Sequence, residues 1–285
     1  MNGANGLLVI DKPGGMTSRD VVNRAQKWFP KGTKLGHTGT LDPLATGTLV
    51  LCVGAATRLA EFVQAMGKGY TTRVLLGATS DTDDADGVVT ANTVAVPPTE
   101  EQVREVVGRF IGTIQQLPPA YSALKVDGKR AHELARKGAE VKLAARPVNV
   151  HRIDVTGYAW PHLELAVGCG KGTYIRSLAR DMGEVLGVGG LVQILRRTHV
   201  GPFTADSGLS LDATPEQVRA NLRPMGEAVV ELPRVTLDAP TGVRFRQGQA
   251  VPCGNASGTV GVFVGEELAG VGEASGGRVR PKVVV

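Results

Sequence analysis

The chain has 285 residues, 42% of them hydrophobic and 21% charged, the usage of an ordinary globular protein able to bury a core. At about 150 residues per domain this length implies one large domain with a smaller appendage, and a formal net charge of +5 mildly favours an anionic partner. No apolar run nears the roughly 20 residues of a membrane span, Met1 to Asp11 lacks a leader pattern, and Cys52, Cys169 and Cys253 have no metal-binding spacing, so a soluble cytoplasmic protein without metal is expected.

In chain order, a β-rich run from Leu7 to Ile10 leads to a helix. Its signals are a Thr17/Asp20 capping box and an apolar face of Val21, Val22, Ala25, Trp28 and Phe29. Leu59, Phe62, Val63 and Met66 make a second helical stripe, and Arg73 to Leu76 reads as a strand. Thr99 and Gln102 cap a third helix carrying Val103, Val106, Val107 and Phe110. Charge then divides sharply: Arg73 to Ala120 nets −4, whereas Tyr121 to Arg152 holds eight basic against three acidic residues, a net +5. On charge alone that segment is either a solvated face or a polyanion footprint.

Leu163, Leu165, Val167 and Cys169 alternate as a strand with one buried side, and a fourth helix runs from about Tyr174 to Leu186, stopped by Gly187. From Thr241 to Val285 there are ten glycines in 45 residues, short β runs such as Val260 to Val264 and no helical stripe. A small all-β domain is expected there, divided from the rest within Pro224 to Pro240. Helices and strands do not alternate regularly, which predicts α+β architecture with a mixed, mostly antiparallel sheet.

The segment Gly36-His37-Thr38-Gly39-Thr40-Leu41-Asp42-Pro43-Leu44-Ala45-Thr46-Gly47 has the composition of a tight, close-approach loop. Taken alone, Asp42 is a turn residue or a catalyst, and His37 a solvated loop histidine or a ligand contact. The acidic run Asp81 to Gly87 invites a calcium reading. It fails the EF-hand test, because setting Gly87 at position six places Thr93, not Glu, at position twelve.

This loop, from Gly36 to Leu49, resembles without a gap the GHxGTLDPxAxGxL motif of the bacterial tRNA pseudouridine synthase B family, the T-loop pseudouridine-55 enzymes. Asp11 to Ser18, Thr82 to Gly87, Tyr121 to Lys125, Lys171 to Arg176 and Leu195 to Thr198 match that family's other motifs in order. The resemblance implies the pseudouridine synthase catalytic fold over 1–231, with 121–152 as a basic RNA-gripping insertion, and a PUA-like RNA-binding domain over 232–285. It implies an isomerase acting on uridine at position 55 in the T arm of tRNA, by base flipping and without a cofactor. No protein partner is read from the sequence, and a monomer is expected.

The resemblance also implies roles. Asp42 is the nucleophile, Arg176 the cation keeping it ionised, and Tyr70 the ring that stacks on the target base and relays the proton lost from C5. Tyr174 and Leu195 line the same pocket. His37 fills the gap left by the flipped base, Asp84 pairs with Arg176, Lys12 supports the catalytic loop or contacts phosphate, and Lys129 and Arg130 grip the RNA backbone. Two rival readings stand beside this one. A tRNA-folding chaperone would keep the basic segment without needing Asp42, and an Asp-nucleophile glycosidase would require a paired acid.

Overall fold

The computed structural model of the protein describes residues 3–122, 125–126, 129–130 and 143–285. Its main sheet has nine strands. Seven of them run in the order Gly6–Lys12, Thr46–Val53, Gly190–Val200, Lys68–Leu76, His162–Cys169, Arg146–Ala159 and Gly112–Gln116, with Leu35–His37 and Phe203–Thr204 paired at the side. Every pairing is antiparallel except Thr46–Val53 with Gly190–Val200. The mixed, mostly antiparallel sheet expected from the irregular order of elements is therefore present.

Period-two burial explains the strands. In His162–Cys169 the residues Leu163, Leu165, Val167 and Cys169 are buried and their neighbours half-buried. Gly6–Lys12 and Thr46–Val53 lack this alternation because both their faces are covered. Leu8, Ile10, Leu49 and Leu51 enter one core beneath the helices, whereas Leu7, Val9, Val50 and Cys52 pack against Phe263, Leu268 and Val271 of the second sheet.

Four helices follow the sequence signals. Ser18–Ala25 and Glu100–Gly108 carry the expected capping boxes at Thr17/Asp20 and Thr99/Gln102. The first helix ends earlier than its apolar face suggests, and Gln26–Trp28 tightens into a 3₁₀ turn. Ala60–Ala65 and Ile175–Val185 match the second and fourth stripes.

The second sheet, in the order Arg234–Leu237, Gly258–Val264, Glu267–Ser275, Arg278–Val284 and Val251–Pro252, is the small β unit expected near the C-terminus. It departs from the expectation in holding a helix, Ala239–Arg246, N-capped by Asp238, whose carboxylate accepts from the Thr241 amide at 2.8 Å. Only Gly242 and Phe245 of that helix are buried, too few to write an apolar stripe. The short Pro215–Ala220 helix, capped by Thr214 and Gln217, buries only Val218 and escaped periodicity for the same reason.

One glycine fixes how the loop from Gly36 to Gly47 joins the sheet. Gly47 has φ +98°, a conformation that L residues disfavour by roughly 1–2 kcal/mol, and a Cβ there would stand 2.2 Å from the Arg197 carbonyl oxygen. Gly47→Ala is expected to lower the melting temperature by several degrees, at about 2–4 °C per kcal/mol for a chain of this class. An unchanged thermal transition would contradict this account of the junction.

Candidate active site

The loop following Leu35–His37 carries Asp42 into a cavity of about 450 Å³, within the range of small-molecule sites. Three further segments supply most of the rest of its lining. The adjacent strands Lys68–Leu76 and Gly190–Val200 contribute Tyr70, Leu195 and Arg197, and the Lys171 to Arg176 stretch contributes the opposite wall with Tyr174. Strand alternation explains the grouping: Leu195 and Arg197 lie two apart and share a face, and Arg197 is the cross-strand partner of Tyr70.

The loop is held from several sides. The Ser18 hydroxyl accepts from the Leu41 amide at 2.8 Å and donates to the Leu41 carbonyl at 3.1 Å. The Gly15 amide donates to the Pro43 carbonyl at 2.9 Å. Arg197, 2% exposed, donates to the carbonyls of Thr48 at 2.8 Å and Gly39 at 3.1 Å. Lys12 is fully buried, and its ammonium donates to the carbonyls of Met16 at 2.6 Å, Pro13 at 2.8 Å and Pro43 at 3.3 Å. Burial lowers its pKa to about 8, with the negative charge of Asp42 opposing. Its ammonium thus ties the chain at Pro13 and Met16 to the loop at Pro43.

At the cavity wall Arg176 meets Asp42 side on. Nη2 donates to Oδ1 at 3.1 Å, and Nε lies 3.0 Å from Oδ2 as a charge contact without a hydrogen bond of its own. Arg176 is 5% exposed and the Asp42 carboxylate 31%, so the cation is enclosed while the anion opens into the cavity. Arg176 is itself fixed by Nη1 donating to the Thr82 carbonyl at 2.8 Å and Nη2 to the Tyr121 carbonyl at 2.9 Å. Asp84 Oδ2 stands 3.4 Å from Nη1, and its other oxygen accepts from the Thr82 hydroxyl at 2.6 Å and the Asp86 amide at 3.1 Å.

The electrostatics follow from this enclosure. Burial pushes the Asp42 carboxyl above its ordinary range, Arg176 opposes the rise, and the like charge of Asp84 adds to it. Burial also raises the Tyr70 phenol, against the charge of Arg197 and a hydrogen bond with it. Lys68, whose ammonium donates to the carbonyls of Met66 at 2.7 Å and Gln64 at 2.9 Å, is lowered to about 8 by burial.

The structure thus brings Asp42, Tyr70, Tyr174, Arg176 and Leu195 to one cavity, with Asp84 behind Arg176 and Lys12 beneath the loop. His37 ends its strand beside the cavity wall without lining it. Lys129 and Arg130 form a short ladder with Lys125 and Val126, but their side chains, and residues 123–124, 127–128 and 131–142 of the basic segment, lie outside the described residues. Sequence reasoning gave no role to Arg197 or Lys68. The signal was a basic residue two positions from a pocket residue in the same strand, Lys68 from Tyr70 and Arg197 from Leu195. Among the described residues no group of three or more His, Cys, Asp or Glu is placed to hold a metal ion.

Comparison with known proteins bears on this geometry. Residues 27–175 match the family described as "TruB family pseudouridylate synthase (N terminal domain)", residues 176–230 the "tRNA pseudouridylate synthase B C-terminal domain", and residues 233–285 "Pseudouridine synthase II TruB, C-terminal". A tRNA pseudouridine synthase B of Aromatoleum aromaticum is 42% identical over 99% of this chain and 92% of its own length, and one of Azoarcus sp. is 41% identical over 99% and 95%. Among solved structures, a chain of an H/ACA ribonucleoprotein bound to a substrate RNA containing 2'-deoxyuridine is similar at TM-score 0.74 and 26% identity, covering 98% of this chain and 84% of that one. A chain of a Cbf5-Nop10-Gar1 complex is similar at TM-score 0.73 and 28% identity, covering 94% and 78%.

The three charges make a prediction. Asp84→Asn removes the negative neighbour that raises Asp42 while leaving Arg176 its carbonyl acceptors at Thr82 and Tyr121. Asp42 should therefore titrate at lower pH than in the wild type when its carboxyl carbon is followed by NMR. A titration moved upward would show that Asp84 acts mainly by aiming Arg176.

Proposed function

The chain belongs to the TruB family of pseudouridylate synthases, and on that premise we propose that Asp42 is the nucleophile with which it isomerises a uridine, position 55, in the T loop of tRNA. The observation that carries this reading is the Asp42 carboxylate, paired with Arg176 on one side and open on the other to a nucleoside-sized cavity. Converting uridine to pseudouridine breaks the bond from N1 to C1′, turns the uracil, joins C5 to the same carbon and moves the C5 proton. Nothing is consumed, so the site needs a nucleophile and proton transfers only. An ionised carboxylate adding to the ring or to the sugar carbon keeps one fragment attached while the other turns.

The remaining residues take their places around that step. Arg176 keeps Asp42 charged despite its burial, and Tyr70 and Leu195 receive the faces of the flipped base, restoring about 1–3 kcal/mol of the stacking lost on extrusion. Tyr70 relays the proton lost from C5, its hydroxyl accepting that proton as its own leaves, and the isomer ends with a proton on N1. His37, at the flank of the cavity, occupies the space the base vacates in the loop. In this reading 1–231 is the catalytic unit, the basic 121–152 segment with Lys129 and Arg130 grips tRNA phosphates, and 232–285 is a PUA-like RNA-binding appendage. A tRNA substrate makes the cytoplasm the working compartment, and among the described residues no helix is long and apolar enough to cross a membrane.

The geometry weighs against both rivals. A chaperone has no use for a carboxylate clamped by a buried guanidinium. A glycosidase needs a second carboxyl facing the same bond, but Asp84 is 5% exposed behind Arg176 and does not line the cavity.

Two outcomes test this function. Asp42→Asn should bind unmodified tRNA with nearly wild-type affinity and form no pseudouridine, as detected by mass spectrometry after derivatisation; turnover by that variant would remove Asp42 from the chemistry. Neutralising Lys129 and Arg130 together should weaken tRNA binding and flatten the slope of log affinity against log salt by up to about two units. An unchanged slope would mean that those charges face solvent.

A further inference from the structure

The basic segment leaves and re-enters the main sheet at one register pair. Gln116, the last residue of Gly112–Gln116, stands opposite Arg146, the first of Arg146–Ala159. Both side chains converge on Tyr174, which lines the cavity and precedes the helix that carries Arg176. Gln116 is 1% exposed. Its Oε1 accepts from the Tyr174 amide at 2.8 Å and its Nε2 donates to the Tyr174 carbonyl at 3.0 Å.

Arg146 approaches from the ring side. Its guanidinium carbon lies 5.5 Å from the centroid of the Tyr174 ring, within cation–π range, and its Nη2 donates to the Gly172 carbonyl at 2.9 Å. Gly172 has φ +86°, and a Cβ there would come within 3.3 Å of that nitrogen, so the backbone is shaped to admit Arg146. Tyr174 needs such support. It sits at the N-cap position in extended conformation with no side-chain capping bond. The next helical turn is stitched to the same neighbourhood, with the Ser177 hydroxyl donating to the Leu117 carbonyl at 2.8 Å and Arg176 to the Tyr121 carbonyl.

We propose that Gln116 and Arg146 are positioning residues which fix Tyr174, and through it the start of the Arg176 helix, against the uridine. The proposal rests on the cavity being the uridine site. It gives Arg146 a role different from the one its charge suggests: the guanidinium is spent on Tyr174 and Gly172 rather than on an RNA phosphate. It also explains an uncharged, enclosed glutamine at the foot of a basic segment, since Gln116 has an acceptor for the Tyr174 amide, which the helix start leaves without an intrahelical partner, and a donor for the Tyr174 carbonyl, which also accepts from the Leu178 amide at 3.2 Å.

The test uses the full chain with Arg146→Met, Arg146→Lys, Gln116→Met and Tyr174→Leu. Single-turnover pseudouridine formation at saturating enzyme should fall by about tenfold or more in both Arg146 variants, because lysine keeps the charge but not the broad guanidinium that lies over the Tyr174 ring while donating to the Gly172 carbonyl. The affinity for tRNA and its salt slope should stay at wild-type values. In a Tyr174→Leu background Arg146→Met should add no further loss. Rescue by lysine, or a salt slope lowered by about one unit with the saturated rate intact, would make Arg146 a phosphate contact and overturn the proposal.

Hydrogen exchange of the free protein provides a readout independent of catalysis. In Gln116→Met and Arg146→Met the amides of 172–178 should exchange faster while the rest of the sheet is unchanged, and unaltered exchange there would overturn the proposal. If the wild type makes no pseudouridine, the uridine reading fails, and this exchange measurement still decides whether the pair holds Tyr174. Should Gln116→Met not fold, the half-buried Arg146 variants give the same decision.

Discussion

The site depends on one ion pair, Arg176 with Asp42. A carboxylate brought into a cavity that must also exclude water loses hydration, and left alone it would protonate. Burial does push Asp42 upward. The guanidinium pairs with both carboxylate oxygens, and the carbonyls of Thr82 and Tyr121 with Asp84 leave it little freedom to move. Breaking such a pair on one side leaves an enclosed charge uncompensated, which explains why so many groups are committed to holding Arg176.

The scaffold beneath the loop works on the same principle with different partners. Lys12 and Arg197 are buried cations whose donors go to backbone carbonyls of the loop and its surroundings rather than to carboxylates. They fix the path from Gly39 to Pro43 without competing with Arg176 for Asp42 through a direct contact, and Lys12 adds positive potential that favours the ionised carboxylate. The junction at Gly47, where backbone meets the Arg197 carbonyl too closely for any side chain, joins this loop to the central strands that bear Tyr70 and Leu195.

Legibility in the sequence followed the range of the interactions. The capping boxes at Thr17/Asp20 and Thr99/Gln102, the alternation from Leu163 to Cys169 and the stripe of the Ile175–Val185 helix are local, and each is written within a dozen residues. The density of Gly, Thr and Asp-Pro from Gly36 to Gly47 marked the loop, and the resemblance of its motifs pointed to Asp42. Distances along the chain hid the rest. Only the resemblance paired Arg176 with Asp42, 134 residues away, and no periodicity relates Gln116 to Tyr174 or Arg197 to Gly39. These pairs exist only once strands far apart in sequence are neighbours in the sheet. Short helices such as Ala239–Arg246 were silent because a single buried aromatic makes no pattern.

For the proposed reaction Arg176 must hold Asp42 ionised as the carboxylate attacks. The direct measurement is the single-turnover rate of pseudouridine formation against pH, at saturating enzyme, for the wild type and Arg176→Met. Because loss of the guanidinium raises the Asp42 pKa further, the acidic limb of the profile should move to higher pH and the plateau rate should fall. A variant with the wild-type plateau and an acidic limb at the wild-type pH would contradict the claim.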